Sequence, residues 1–180
     1  MTSFLQRDQA PLSSEQWSAL GDTVVRTAQA MLVGRRFIAL AGPFGAGLEA
    51  MPSDIITGGG RGQVDLFGNA DSAAVTIEQR RYLPLPLIYQ DFWLHWRDLE
   101  ASLQFGIPID TGKAAAAASA CAQAEDNLVF NGDADLGLPG LRTVEGRQVQ
   151  PMGDWGATGQ AFADVVQGVR TLTSLGFPGP

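Results

Sequence analysis

The sequence predicts an α+β fold, in which long helices and extended strands occupy separate stretches of the chain. Residues 114–130 are dominated by alanine, the residue with the highest helix propensity, and predict a long helix within residues 109–141. Ser13 and Gln16 have the spacing of a capping box, which predicts that another helix begins near the N-terminus of the chain. Apolar and polar side chains alternate between Gly-rich turns in residues 51–82, as is typical of strands.

The composition indicates one or two ordinary domains and an acidic chain. The chain has 180 residues, 45% of them hydrophobic, and a net charge of −7. Binding to nucleic acid or anionic lipid without sequence preference needs a basic face, so neither is an expected partner. No apolar run reaches the roughly 20 residues of a membrane span, and the N-terminus lacks a signal-peptide core, so a cytoplasmic location is expected.

The first predicted helix ends at Gly34. Arg35 and Arg36 follow it, where positive charge is favourable beside a helix C-terminus. Residues 37–40 predict a short buried strand, and residues 41–47 predict a turn that lacks the Lys-Ser/Thr of a phosphate-binding loop. The apolar residues that repeat at helical spacing are Trp17, Leu20, Val24, Ala28, Met31 and Leu32.

A two-stranded ribbon is predicted next. Residues 57–62 and 67–72 are turn material, and residues 63–66 and 73–80 alternate well enough to be its strands. Residues 82–87 carry proline at alternate positions, which suits a sheet edge or an extended connector. Because an isolated hairpin is marginal in water, such a ribbon is expected to lie on something else, often a neighbouring subunit.

Residues 88–99 predict another strand, followed by a short helix or turn at residues 100–107. The only histidine, His95, lies between Trp93 and Trp96, so a histidine on a sheet face is favoured over a catalytic one. These aromatic residues, with Tyr89 and Phe92, could stack a base or a flavin, but packing in the core or at an interface is favoured.

The long helix is predicted to begin at Asp110 and Thr111, which can cap free N–H groups, and to end at Asn131 and Gly132. Cys121 is the only cysteine, so it cannot form an intramolecular disulfide and is expected to be a packed thiol. The residues predicted to share the small face of this helix are Ala117, Cys121, Ala124 and Leu128.

The last part of the chain predicts one more helix. A tight turn at Pro139 and Gly140 and a short strand at residues 147–150 precede it, Thr158 is its predicted cap, and Gly176 stops it. Its predicted apolar stripe is Phe162, Val165, Val166, Val169 and Leu172.

The residues that carry chemistry do not form an enzyme site or a metal site. His95 and Cys121 supply at most two ligands of the histidine and cysteine type, and His95 would be the only base of a Ser-His-Asp arrangement. Glu125 and Asp126 are adjacent on a helix and point to different sides, so a helix-end charge cluster is favoured over an acid–base pair. The chain is therefore not predicted to be an enzyme. Its extended ribbon, its edge connector, its alanine-rich helix and its acidic, Gly-rich surface instead predict a subunit that completes its fold against its neighbours.

Four local patterns follow one another along the chain: LQRDQAPLSSEQW at residues 5–17, GRRF with GPFG within residues 34–45, LPL with FxL and DL within residues 83–99, and AED with FNG and GLPGL within residues 124–141. Together these patterns resemble the encapsulins, the linocin-like bacteriocin family of nanocompartment shell proteins.

The resemblance implies the fold of tailed-phage major capsid proteins. It also implies a domain layout. Residues 1–50 would form the N-terminal arm, the first helix and the first strand of the peripheral domain, and residues 51–82 would form the extended loop. Residues 83–132 would form the peripheral domain with its spine helix, and residues 133–180 would form the first part of the axial domain.

The resemblance further implies a structural function. Copies of the chain would form an icosahedral shell in the cytoplasm that encloses cargo enzymes, namely ferritin-like proteins or dye-decolorising peroxidases with a terminal targeting peptide. Leu32, Arg35 and Ala39 are the candidate residues of the cargo-peptide pocket. No cofactor is expected, because Ile77 occupies the position at which some members stack a flavin on Trp.

Family members continue beyond the position of Pro180, so the chain is expected to lack the C-terminal third of the fold. Strands of a partial axial domain would have open edges that invite pairing. A complementary polypeptide that carries the missing part, or a split or processed product, is therefore expected. The alternatives are a capsid-like assembly or binding module, such as a prophage capsid remnant that encloses no cargo, and an enzyme such as a protease, for which only His95 is available.

Overall fold

The computed structural model describes residues 7–58, 62, 64–67 and 74–177 of the chain. Both helices and strands are present, in agreement with the predicted α+β class. The helices are α1 (Ser14–Met31), α2 (Trp96–Phe105), α3 (Gly112–Asn131) and α4 (Gln160–Ser174), with short 3-10 turns at Arg7–Gln9 and Gly34–Arg36. The strands are β1 (Ala50–Thr57), β2 (Thr76–Pro84), β3 (Gly132–Asp133) and β4 (Leu138–Pro139).

The predicted capping box opens α1. The Ser13 hydroxyl accepts a hydrogen bond from the Gln16 N–H at 3.2 Å, and the Gln16 side-chain oxygen accepts one from the Ser13 N–H at 2.9 Å. Gln16 is buried, and its side-chain amide also donates to the Ser102 hydroxyl in α2 at 2.9 Å. One side chain thus satisfies the start of α1 and joins it to α2.

The core lies where the start of α1 meets the start of α3. Leu20, Ile109 and Ala114 are buried there, and four partly buried hydrophobic residues pack against them: Leu12, Trp17, Leu94 and Leu99. Because alanine side chains are small, the backbones of α1 and α3 can approach closely.

The buried face of α3 differs from the predicted one. Ala124 is exposed, and Cys121 and Leu128 are only half-buried. In a helix this rich in alanine, many overlapping faces have the same small size, so spacing alone could not select the one that packs. The buried residues of α3 are Ala114, Ala117, Ala118 and Ala122.

The ribbon is present, but its first strand was predicted in the wrong place. β1 and β2 pair antiparallel from Ala50 opposite Pro84 to Thr57 opposite Thr76, while residues 64–67 are not a strand. The β1 sequence contains proline and lacks regular alternation, so it is its pairing with β2 that makes it a strand. Most of the predicted turn residues and the start of the predicted strand at 73–80 lie outside the described residues, as do residues 1–6 of the arm.

The ribbon stands apart from the core of the chain. Every residue of β2 is exposed. Its one bidentate ion pair joins Arg80 to Asp54 at 2.7 and 2.8 Å between directly opposed positions, which lowers the pKa of Asp54. The ribbon is therefore stabilised across its two strands and not by packing on α1 or α3.

The predicted strands at residues 37–40, 88–99 and 147–150 are wrong. Residues 37–40, 85–95 and 147–150 are irregular, and α2 begins at Trp96. An apolar or aromatic run forms a strand only when a second strand pairs with it, and none of the described residues does so here. His95 is consequently not on a sheet face but caps α2, where its Nδ1 accepts the Arg97 N–H at 3.2 Å.

The ends of α3 agree with the prediction in part. Asp110 accepts the Gly112 N–H at 2.8 Å, but Thr111 makes no side-chain cap. At the other end Gly132 has φ 74°, and a Cβ there would collide with the Leu138 carbonyl oxygen.

The last helix also differs from the prediction at its start and on its face. The residue at the N-terminal cap position of α4 is Gly159, with φ 85°, and not the predicted Thr158. Asp164 instead accepts three hydrogen bonds, from the Gly153 N–H, the Trp155 indole N–H and the Gln160 amide, all at 2.8 to 2.9 Å. The predicted apolar stripe is largely exposed, as in Phe162, Val165, Val169 and Leu172.

Candidate functional site

The three candidate pocket residues lie on one continuous piece of chain at the end of α1. Leu32 is the C-terminal cap of α1, with its N–H bonded to the Ala28 carbonyl at 2.9 Å and its side chain buried. Arg35 lies in the 3-10 turn that follows, and Ala39 is exposed in the irregular segment after that turn. The three residues are thus close in sequence, but the structure places them in three different environments.

Asp126 of α3 holds the backbone of this turn. Its two carboxylate oxygens accept hydrogen bonds from the N–H groups of Val33 at 2.8 Å and Gly34 at 2.9 Å. These two bonds lower the pKa of Asp126, and the bond from Val33 has the larger effect. A Cβ at Gly34 would lie 3.2 Å from the Asp126 oxygen and 3.3 Å from Val129 Cγ1. Glycine at this position therefore lets the turn come close to α3.

Glu125 holds the first arginine of the turn. The Arg35 guanidinium donates to both carboxylate oxygens of Glu125, at 2.6 and 2.7 Å, and this bidentate bond raises the pKa of Arg35. Arg36 points elsewhere and donates to the Ala30 carbonyl at 2.9 Å. Arg35 is thus already paired within the chain.

An aromatic contact adds to these polar ones. The Phe37 and Phe130 ring centroids are 5.9 Å apart with an interplanar angle of 38°. We call the whole arrangement the clasp, formed by Val33, Gly34, Arg35 and Phe37 on one side and Glu125, Asp126 and Phe130 on the other.

Large apolar side chains are exposed along the segment that starts at the clasp. We call them the apolar strip, and its members are Val33, Phe37, Leu40 and Phe44, with 44%, 60%, 68% and 58% of their surface exposed. Exposed apolar side chains concentrated on one short segment are available for contact with another polypeptide.

The groups that could do covalent or metal chemistry are occupied or isolated. His95 caps α2, and Cys121 is half-buried in α3. Within the described ranges, no group of three or more His, Cys, Asp or Glu residues could hold a metal ion. Of the aromatic cluster, Tyr89 and Trp93 are exposed and do not pack in the core of the chain.

Sequence reasoning missed the role of Glu125 and Asp126, which it treated as a helix-end charge cluster. The signal was the presence of Arg35 and Arg36 just after α1 and of two acids near the end of α3. That signal becomes informative only when α1 and α3 are known to run side by side in the same direction, start beside start and end beside end.

Comparison with known proteins places the chain in a family. A family model described as "Encapsulating protein for peroxidase", Linocin_M18, matches residues 1–180. The chain is 43% identical over its whole length to the type 1 encapsulin shell protein EncA of Myxococcus xanthus, covering 63% of that protein. It is 38% identical over 94% of its length to a diheme-cytochrome-encapsulin shell fusion protein of Kuenenia stuttgartiensis, and 32% identical over 76% of its length to a type 1 encapsulin shell protein of Rhodospirillum rubrum.

These relatives belong to one class, the encapsulin shell proteins, as the four sequence patterns predicted. The chain is a member of this linocin-like encapsulin family. It spans 63%, 46% and 48% of the lengths of the three relatives. In the part of the chain that the structure describes, no helix is both long enough and apolar enough to cross a membrane.

Proposed function

We propose that the chain is a structural shell subunit, which assembles with copies of itself into an icosahedral encapsulin compartment around cargo enzymes in the cytoplasm. The observation that carries this proposal is the accessible surface of the isolated chain, 14672 Å² for 19.1 kDa. A compact monomer of this mass exposes about 8,400 Å². The excess exceeds even a large obligate interface, which supports contacts with several neighbours.

The nature of the exposed surface supports the same proposal. Large apolar residues of α4 and of the segment before α2 are exposed, among them Phe162 and Trp93. The buried hydrophobic residues among those described are few and mostly alanine. Such a chain buries too little apolar surface on its own and gains by covering more of it with neighbouring subunits.

The ribbon fits the proposed extended loop. It is exposed along β2, it is held by its own cross-strand pair of Asp54 with Arg80, and it occupies the interval that the proposed domain layout gives to this loop. In the proposed shell it lies across an adjacent subunit, while residues 83–132 complete the peripheral domain and residues 133–180 begin the axial domain. Ile77, opposite Ile56 in the ribbon, leads us to propose that no flavin is bound there.

Cargo is proposed to dock at the segment that contains Leu32, Arg35 and Ala39. Ala39 and the apolar strip are accessible on this segment, and Leu32 is buried at its start. The family description names peroxidase as the encapsulated protein, so a dye-decolorising peroxidase with a terminal targeting peptide is the proposed cargo, with ferritin-like proteins as the second choice.

Purification of the chain with negative-stain microscopy tests the shell. Uniform hollow particles are the expected result. Open sheets or irregular aggregates would instead favour a capsid-like assembly module that encloses no cargo. The absorbance spectrum of the same particles tests the flavin proposal, because a flavin band would contradict it.

A further inference from the structure

The clasp gives Glu125 and Asp126 a role that rests on the proposed cargo-docking function. We propose that the two acids are positioning residues for cargo docking, which hold the apolar strip in one orientation for the targeting peptide and keep the Arg35 charge engaged within the chain. The docked segment of the peptide is then apolar and uncharged, and Arg35 is part of the support and not a receptor for an acidic group.

Asp126 determines the path of the backbone. The first N–H groups of a helical turn have no partner within that turn, and Asp126 supplies one for Val33 and one for Gly34. These two residues lie between buried Leu32 and exposed Phe37, so the direction in which the strip leaves α1 depends on them. Without these bonds the turn would have to find water or another acceptor and would sample more orientations.

Glu125 determines what charge the surface presents. Both oxygens of its carboxylate are bonded to the Arg35 guanidinium, whose side chain is still half exposed. An acidic peptide would have to displace this pair, whereas an apolar peptide can lie on the strip beside it. Exposed ion pairs contribute little to stability, so this pair is better suited to setting charge and orientation than to holding the fold.

Orientation matters because docking orders a flexible peptide. A surface that is already in its binding conformation spares the complex the cost of ordering both partners. Apart from Val33, the strip consists of side chains on the irregular backbone after the 3-10 turn, and this backbone has no strand partner among the described residues. The contacts of the clasp therefore supply the order that secondary structure does not.

Cargo loading tests the role of Asp126. The probe is a fluorescent protein that carries the terminal targeting peptide of a dye-decolorising peroxidase, co-expressed with the full chain. We expect Asp126→Ala shells to take up about tenfold less probe than wild-type shells, equivalent to one order of magnitude in affinity. The matched control is Asp110→Ala, which removes the same kind of carboxylate–backbone bond at the other end of α3 and should load normally.

The Arg35 pair is tested by charge exchange. Arg35→Glu and Glu125→Arg should each reduce loading, and the double variant should restore it because the pair is rebuilt with opposite polarity. A second probe, with one apolar residue of the peptide changed to Glu, tests selectivity. Glu125→Gln, which frees the Arg35 charge, should raise uptake of this acidic probe several-fold relative to the unchanged probe.

The outcomes separate the two proposals. Wild-type shells that take up no probe would contradict the cargo site itself, and this inference with it. Wild-type uptake that Asp126→Ala and Glu125→Gln leave unchanged, for both probes, would contradict the inference alone. If Asp126→Ala does not assemble, Glu125→Gln and the charge-exchanged pair, which leave the Asp126 bonds in place, decide the question.

Discussion

Asp126 is the residue on which the turn after α1 depends most. Both of its oxygens accept backbone N–H groups, and these bonds lower its pKa below the ordinary value of 3.8. A carboxylate whose pKa is lower in the folded than in the unfolded chain stabilises the fold above the unfolded pKa. That stabilisation is lost as the pH falls through the folded pKa.

We therefore expect the stability difference between wild type and Asp126→Asn to be constant near neutral pH and to vanish in strong acid. Thermal unfolding followed by circular dichroism, from about pH 7 down to about pH 3, measures this difference. A difference for Asp126→Asn that persists unchanged at the acidic end would contradict the role assigned to the carboxylate.

Asp164 has a similar role in the last part of the chain, because its carboxylate also holds backbone of a neighbouring segment. It joins the loop at Gly153 and Trp155 to α4. These bonds lower the pKa of Asp164, and the bond from the Gly153 N–H has the largest effect. We expect Asp164→Ala to release Trp155 and to shift its fluorescence to longer wavelength, because the indole N–H then bonds to water. Asp154→Ala is the control, since Asp154 holds only its own turn through the Gly156 N–H at 2.9 Å. Equal emission from wild type and Asp164→Ala would show that Asp164 does not hold the indole.

At the scale of elements, α1 depends on its cap. We expect Ser13→Ala to cost about 1 kcal/mol of unfolding free energy, the usual value of an N-terminal cap. Gln16→Ala should cost more, because it removes the reciprocal bond and the bond to Ser102 as well. Chemical denaturation measures both, with Ser18→Ala, an exposed position within α1, as the control that should not destabilise. A Ser13→Ala chain as stable as the control would indicate that solvent satisfies these N–H groups equally well.

The end of α3 depends on a glycine. Gly132 and Gly137 both have positive φ, at 74° and 66°, but only at Gly132 would a Cβ meet backbone atoms of β4. We expect Gly137→Ala to cost about 1 kcal/mol from backbone strain alone. Gly132→Ala should cost clearly more, because β4 must also move. Equal losses in denaturation midpoint for the two variants would mean that the steric contact is relieved without cost.

The elements differ in how well the sequence predicted them, for identifiable reasons. α1, α3 and α4 were found because a cap, an alanine run or an apolar stripe acts within the element itself. β1 was misplaced, and three strands were predicted that do not exist, because a strand depends on a partner distant in sequence. The clasp was missed for the same reason, since Glu125 and Arg35 are meaningful only as a pair. The family patterns, by contrast, predicted the shell class, which the comparisons confirmed.

For the whole molecule, the exposed stripe of α4 provides the test of assembly. We expect Val169→Asp to prevent formation of uniform particles, because a charge would then enter a surface that assembly is proposed to cover. Gln167→Asp, at an exposed polar position of the same helix, should leave assembly unchanged. Analytical ultracentrifugation with negative-stain microscopy measures the yield of particles, and normal yield from Val169→Asp would mean that this stripe remains in water.

The alanine seam between α1 and α3 has a consequence for how accurately the two helices are aligned. Methyl groups offer no large side chain that fits a matching hole, so packing at Ala117, Ala118 and Ala122 leaves the axial register of α1 only weakly specified. The contacts at either end remain to specify it. At the start these are the core side chains Leu20 and Trp17, together with Gln16, which bonds to α2, and at the finish they are the bonds of Asp126. The hydrogen bonds of Asp126 tolerate a shift of only a fraction of an ångström before they break, so this carboxylate aligns the ends of the longest pair of helices in the described chain.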